Sequence, residues 1–325
     1  MITVYDIHDG SLRRRDPAPA AALPAGVWVD LVNPTKEEEH AVETSLGVGV
    51  PTREEMREIE TSSQLYREGD AAIMTVRVVR RDGSAVAALT DATFILTPRH
   101  LATVRYVETK PFSIFCARGD KQGAHIDSLE SIVVGILEAV VDRAADILEE
   151  VGVGLDTISE RIFDQAEAAN PGIASADLRT TIQRIGRSGD LAAKVRESLH
   201  SLNRAVAFLR TMERVRASAD LTARSSTLRK DIQSLLDHNM YIASNIQFLL
   251  DSTLGLINIQ QNAIIKIFSV AAVIFLPPTL IASIYGMNFV EMPELKWFLG
   301  YPTALGLMVL SAILPYLYFK RRGWL

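Results

Sequence analysis

Two apolar runs near the C-terminus, Ile267 to Tyr285 and Trp297 to Phe319, contain no charged side chain. Each reaches about the 18 to 20 residues that a helix needs to cross a bilayer. The stretch between them, Gly286 to Lys296, is too short to be a domain and reads as a loop on one side of a membrane. Basic residues set the orientation. Lys266 precedes the first run and Lys320-Arg321-Arg322 follow the second, whereas the loop sets Lys296 against Glu291 and Glu294. By the positive-inside rule both termini are cytoplasmic and the loop faces outward. Tyr285, Trp297, Tyr301, Tyr316, Tyr318 and Trp324 stand near the ends of the runs, where amphipathic rings anchor a helix at the interface.

The apolar content is concentrated in that C-terminal part, and the first two-thirds of the 325 residues has the composition of an ordinary charged soluble region. One cysteine, Cys116, excludes an internal disulfide and suits a reducing compartment. Met1 to Asp16 shows neither the apolar core nor the cleavage motif of a signal peptide. The net charge of −5 gives no reason to expect nucleic acid as a partner.

Residues 1–125 read as a cytoplasmic α/β domain with a mixed or largely antiparallel sheet. Ile2 to Ile7 and Val27 to Val32 are strands, and Asn33-Pro34-Thr35 supplies cap and first-turn chemistry for a helix through Glu37, Glu38 and Glu39. A second helix is expected from Pro51 or Thr52 past Met56 and Ile59. Ala71 to Val79, Ala92 to Thr97 and Leu101 to Val107 are β-rich, the last two joined by a turn at Pro98-Arg99-His100. Residues 126–220 change to helical period. Leu129, Val133, Ile136, Val140, Ile147, Val151, Leu155, Ile158 and Ile162 recur at steps of three and four, Asn170-Pro171-Gly172 breaks the pattern, and Leu178, Ile182, Ile185, Val195, Leu199, Leu202, Val206 and Leu209 resume it, predicting an antiparallel helical hairpin. The first of these helices is acidic and the second basic, as complementary solvated faces of a pair would be.

A third helix is expected over 221–286, running on into a first membrane span at about 264–285, roughly 95 Å long if unbroken. A loop over 286–300, a second span over 301–320 and a basic cytoplasmic tail over 321–325 complete the chain. One face of the third helix carries Asp251, Gly255, Asn258 and Asn262 and continues through Ile265, Phe268 or Ser269, Ala272, Leu276, Thr279 and Ser283. Polar groups at membrane depth face protein or a water-filled cavity; small residues also serve close helix packing. The amides at both ends of the stripe, Asn262 and Asn288, favour a pore shared by several protomers. Its donors are amides, carbonyls, hydroxyls and one carboxylate, and the six histidines all lie outside the spans. That set suits a hard cation and disfavours zinc or copper.

The run Tyr285-Gly286-Met287-Asn288-Phe289 with Met292-Pro293-Glu294-Leu295 resembles the signature of the CorA magnesium transporters. The likeness extends through Gly255 to Asn262, Ile264 to Val270, Phe275 to Leu280 and Pro315 to Lys320. The resemblance implies an α+β cytoplasmic domain with long helices and two transmembrane helices, assembled as a homopentameric, funnel-shaped channel of the inner membrane. It implies that Mg2+ is both cargo and regulatory ion, with no organic cofactor, no nucleotide and no enzymatic activity, and that cobalt or nickel are further candidate cargo. Carried over position by position, Gly286, Met287 and Asn288 form the selectivity filter. Magnesium dehydrates reluctantly, so a ring of Asn288 carbonyls would take the hydrated ion, with Gly286 permitting a tight turn and Met287 packing to hold it. Thr279 and Asn262 would be further polar rings, Leu276, Phe268 and Ile265 hydrophobic constrictions, and Asp251 a charged ring below, with Ala272 and Ser269 completing the wall. Glu291 and Glu294 would concentrate cations at the outer mouth. Asp231 and Asp237, with Asp70, Asp82 and Asp91 as partners, are candidates for regulatory magnesium. In the resemblance the acidic helix also becomes an electrostatic lever.

Gly47-Val48-Gly49 and Gly152-Val153-Gly154 lack the phosphate-cradle pattern and its lysine. None is needed for uptake, since two charges crossing 100 mV are worth about 4.6 kcal/mol. The competing readings are a ZntB-like zinc transporter, which shares the tripeptide, and a membrane-tethered interaction or sensor protein whose spans only anchor it.

Overall fold

The computed structural model describes residues 1–15, 26–58, 60–81, 87–120, 126–167, 174–287 and 297–324. They form two compact units, Met1–Glu160 with Gln183–Leu249 and Arg161–Ile182 with Leu250–Leu325.

The first unit is built on seven strands: β1 (Ile2–His8), β2 (Ser11–Arg15), β3 (Val27–Val32), β4 (Leu65–Glu68), β5 (Ala71–Arg80), β6 (Ala88–Leu96) and β7 (His100–Arg105). They lie in the order β2-β1-β3-β7-β6-β5-β4. Only β3 and β7 pair in parallel; the other neighbours are antiparallel. β7 is buried along its whole length and β3 along all but its last residue, as central strands covered on both faces must be. β1 and β2 meet at Asp9-Gly10, both at positive φ, the backbone that a two-residue hairpin turn requires. At the other turn, Thr97 closes the link between β6 and β7: its N–H donates to the His100 carbonyl at 2.9 Å and its hydroxyl accepts from the His100 N–H at 2.9 Å.

Helix α1 (Lys36–Leu46) starts at a capping box, in which the Thr35 hydroxyl accepts from the Glu38 N–H and the Glu38 carboxylate accepts from the Thr35 N–H. It ends on Gly47 in the left-handed region, where glycine carries no Cβ penalty. The expected second helix is not formed as such. Glu55–Arg57 makes a single 3-10 turn, held by the Glu55 carboxylate accepting from both the N–H and the hydroxyl of Thr52, and α2 (Thr61–Gln64) is one short turn before β4; Ile59 lies outside the described residues. α3 (Lys110–Gly119) packs Phe112 on Phe94 and Phe115 on Trp28. Below Trp28 lies a buried polar cluster: Arg105 reaches both carboxylate oxygens of Asp30, at 3.1 and 2.6 Å, and the Thr103 hydroxyl donates to Asp30 while accepting from the Trp28 indole.

Four further helices follow: α4 (Leu129–Glu167), α5 (Ala174–Leu209), α6 (Glu213–Ala217) and α7 (Ala219–Tyr285). The expected break at Asn170 to Gly172 falls outside the described residues. Gly135 of α4 lies against α3, where an added Cβ would sit 2.4 Å from the Phe115 ring. α5 seals a sheet edge that β4 is too short to cover. The Ser198 hydroxyl donates to the Arg77 carbonyl at 2.6 Å and the Ser201 hydroxyl accepts from the Arg77 N–H at 2.8 Å, satisfying a backbone pair that the ladder leaves open. α7 buries Leu221, Ser225, Leu228, Ile232, Leu236, Asn239, Ile242, Ile246 and Leu249, the three- and four-residue steps of a packed helical seam. Arg224 ties it to α4 through both oxygens of Glu138.

In the second unit the C-terminal part of α7 and helix α8 (Gly300–Arg321) are, among the described residues, the two helices long and apolar enough to cross a membrane.

Candidate functional site

Within the second unit, α7 and α8 lie antiparallel. Ala282, Tyr285 and Gly286 at the end of α7 share a cavity of about 570 Å³ with Trp297, Tyr301 and Ala304 at the start of α8. At the opposite end Lys266 lies over the Trp324 ring, 5.6 Å from its centroid, a cation–π contact. Val270 on α7 and Ala304 on α8 are almost fully buried, at 2% and 4% exposure. A small residue on α8 lets the two backbones approach, as membrane helices do where small side chains meet. Ala271, Ile274, Pro278, Ile281 and Tyr285, on the same side of α7 as Val270, are half-buried.

The other side of α7 carries the predicted stripe. Ile265, Phe268 and Leu276 are 61%, 71% and 65% exposed, and Asp251, Asn262, Ser269, Ala272 and Thr279 are exposed as well. One protomer therefore brings all eight to one open face and covers none of them. Pro277 and Pro278 stand inside the helix without interrupting it. Their missing N–H groups leave carbonyls one turn back without the usual helical donor. Thr279 donates its hydroxyl to the Phe275 carbonyl at 2.7 Å. Its proton is thus directed back along the helix, leaving its oxygen to act as an acceptor.

Gly286 continues the helix by donating its N–H to the Ala282 carbonyl at 3.0 Å. Its φ is not positive, so the tight turn expected at Gly286 does not draw on the left-handed conformation that glycine permits. Met287, expected to pack against the filter, is 47% exposed in the protomer. Asn288, Glu291, Glu294 and Asp82 lie outside the described residues.

The described members of the proposed regulatory set, Asp70, Asp91, Asp231 and Asp237, form no group of three within one chain. Asp70 is exposed in the turn between β4 and β5, and Asp231 and Asp237 are exposed on α7, with Asp237 accepting from the Gln233 amide at 3.1 Å. Asp91 on β6 faces Arg77 at 3.7 Å; burial pushes its carboxyl above the usual range, opposed by the charges of Arg77 and Arg57. Among the described residues, no three His, Cys, Asp or Glu side chains of the protomer are grouped to hold a metal ion.

The match to a family model covers residues 25–321, and that model describes a CorA-like Mg2+ transporter protein. The chain belongs to the CorA family. The magnesium transport proteins CorA of Yersinia pestis and Escherichia coli K12 are 34% and 33% identical to it over 325 residues, the full length of both chains in each case. That of Pasteurella multocida is 35% identical, again over the whole of both chains. Among solved structures, the CorA magnesium transporter of Methanocaldococcus jannaschii superposes with a TM-score of 0.78 at 19% identity, covering 100% of this chain and 99% of that one. The ZntB cytoplasmic domain of Vibrio parahaemolyticus gives 0.59 at 10% identity over 79% of this chain and 97% of its own, so the two share a fold over that region. CorA-family members are ion transporters rather than enzymes.

Proposed function

We propose that this chain forms a homopentameric, funnel-shaped magnesium channel of the inner membrane, with both termini cytoplasmic and influx driven by the membrane potential. The observation that carries this reading is the two-sidedness of α7. One side is covered by α8, and the other, with its alternation of polar rings and apolar constrictions, is left exposed by the protomer. A two-span protomer encloses no pathway by itself, so the open stripe calls for copies of the same helix around an axis. Relatives at 33% to 35% identity over full length are named as magnesium transport proteins, which supports magnesium as the cargo.

Asn288 then receives the hydrated ion at the outer end, with Gly286 and Met287 shaping that end and Glu291 and Glu294 raising the local cation concentration. Below it Thr279 and Asn262 form polar rings, Leu276, Phe268 and Ile265 narrow the path, Ala272 and Ser269 line it, and Asp251 attracts the emerging cation. Because the path offers oxygen ligands, hydrated cobalt and nickel are expected to compete with magnesium. Closure is assigned to cytoplasmic magnesium bound between protomers, where Asp231 or Asp237 of one would meet Asp70, Asp82 or Asp91 of the next.

The test is uptake into proteoliposomes containing a magnesium-sensitive dye, with an imposed inside-negative potential, for wild type and Asn288→Ala. Voltage-following entry that disappears in the variant supports the channel. Zinc entry that follows a pH gradient without magnesium flux would replace it with a zinc transporter, and no flux from assembled protein would leave a membrane tether.

A further inference from the structure

A cleft of about 550 Å³ in the first unit has no part in the ion path. It is lined by Gln64, by Arg77 of β5, by Gly189, Ala192, Ala193, Arg196, Glu197, His200 and Arg204 of α5, and by Asn239, Ala243 and Ile246 of α7. We propose that this cleft binds a phosphate-bearing anion.

Its charge is the first reason. Three guanidinium groups face the single carboxylate of Glu197, which is ion-paired with Arg77. Arg204 donates to a neutral acceptor, the Gln64 amide oxygen, at 3.1 Å. Arg196 has no ion-pair partner among the described residues, and with His200 and Arg204 it recurs every four positions, on one face of α5. Such a face would repel itself less if an anion lay across it. Guanidinium forks match phosphate oxygens in pairs, which a lysine or a simple surface charge does not do.

The cleft is also built to stay open. Two of its polar side chains, Gln64 and Asn239, are each only 2% exposed and held from behind, Gln64 by donating to the Glu58 carbonyl at 2.7 Å and Asn239 by donating to the Ala192 carbonyl at 2.8 Å. The floor consists of glycine, three alanines and one isoleucine, and a Cβ added at Gly189 would only just touch Ile246, at 3.8 Å. No long apolar side chain is there to fall in. The volume lies within the roughly 300 to 1,000 Å³ of small-ligand sites. Walls from β5, α5 and α7 mean that an occupant would tie the sheet and α5 to the stalk part of α7 in the same unit. No linear motif reveals this, because Arg77 and Arg196 are brought together only by the docking of α5 on β5.

The shared chemistry is a polyanionic phosphate group, from inorganic pyrophosphate or from a nucleoside triphosphate. Full-length protein in detergent, in metal-free buffer, should be titrated calorimetrically with pyrophosphate and with ATP. Saturable binding on the order of 10 to 100 μM is expected, weakened about tenfold or more by Arg196→Glu and by Arg204→Gln, with thermal melting unchanged for the first. Arg216→Glu, outside the cleft, should leave binding within about twofold. Equal affinities for the two probes would assign the site to the phosphates alone, and tighter ATP binding would add the nucleoside. No saturation below about 1 mM, undiminished binding in Arg196→Glu, or an equal loss in Arg216→Glu would overturn the proposal.

Discussion

Along α7 the same helix obeys two different rules. From Leu221 to Leu249 it buries a residue at every third or fourth position against its own chain; its exposed side carries Arg229, Lys230, Asp231 and Asp237 and, further on, Met240, Tyr241 and Phe248. From Ile265 onward it shows Ile265, Phe268, Phe275 and Leu276 at 61% to 71% exposure, an arrangement that water would not tolerate over so long a run. A single protomer completes the first pattern and leaves the second incomplete. The second part leaves an apolar surface that the protomer does not cover, and the proposed channel would set it against lipid on some sides and other protomers along the open stripe.

The strongest way to break this comparison is to place a charge on each side of α7 in turn. Val270→Lys puts an ammonium into the α7–α8 contact, at a cost of about 2.5 to 3.5 kcal/mol, and should lower the yield of assembled protein in size-exclusion chromatography. Ser269→Lys, on the open stripe, should assemble normally and lose magnesium uptake, since a ring of ammonium groups repels a divalent ion. Normal flux in Ser269→Lys would remove that face from the pathway.

In the first unit the corresponding test concerns charge that the protomer already buries. Arg105→Ala leaves the Asp30 carboxylate, 3% exposed, without its bidentate partner, and should destabilise this unit by about 3 to 5 kcal/mol, read as a lowered thermal midpoint of Trp28 fluorescence. Gly135→Ala drives a methyl group into the Phe115 ring and should cost about 1 to 3 kcal/mol by the same measurement. An unchanged melt would mean that α3 can move off α4 freely. Thr35→Ala removes one side of the capping box and should cost about 1 kcal/mol. Glu38 is held below the usual carboxylate range, first by its hydrogen bond with the N-terminal ammonium and then by the Thr35 N–H. Its contribution is thus present above the ordinary carboxylate range and lost as pH falls through the lowered value, so Glu38→Gln should flatten the acid limb of the melting curve. None of these four changes should alter ion selectivity.

Much of this architecture could be read from residue order because the signals are local. β3 was readable from its run of Val27 to Val32, and α1 from the cap and first-turn residues Asn33-Pro34-Thr35 ahead of Glu37, Glu38 and Glu39. Elements without an apolar signature were not. β2 is Ser-Leu-Arg-Arg-Arg, a charged edge strand with no run of apolar residues to mark it. α3 was missed because its ten residues are short for periodicity, and Met56 was read into a helix although it belongs to a single 3-10 turn that hides one side chain under the sheet. For the pathway, the polar stripe was visible in residue spacing, whereas the side that packs on α8 was not, because an apolar surface reads the same whether it meets lipid or protein.

By itself, the sequence determined where the chain leaves water, since a charge-free run of membrane length has so few alternatives, and it determined the oxygen chemistry of the stripe and the family signature around Gly286. Only the tertiary structure decided which side of α7 is open, that Asp91 faces Arg77 within the protomer, and that arginines far apart in order line one cleft. Helix periodicity assigns a residue to a face, but which face is covered depends on contacts between segments remote in the chain, and those are settled by packing.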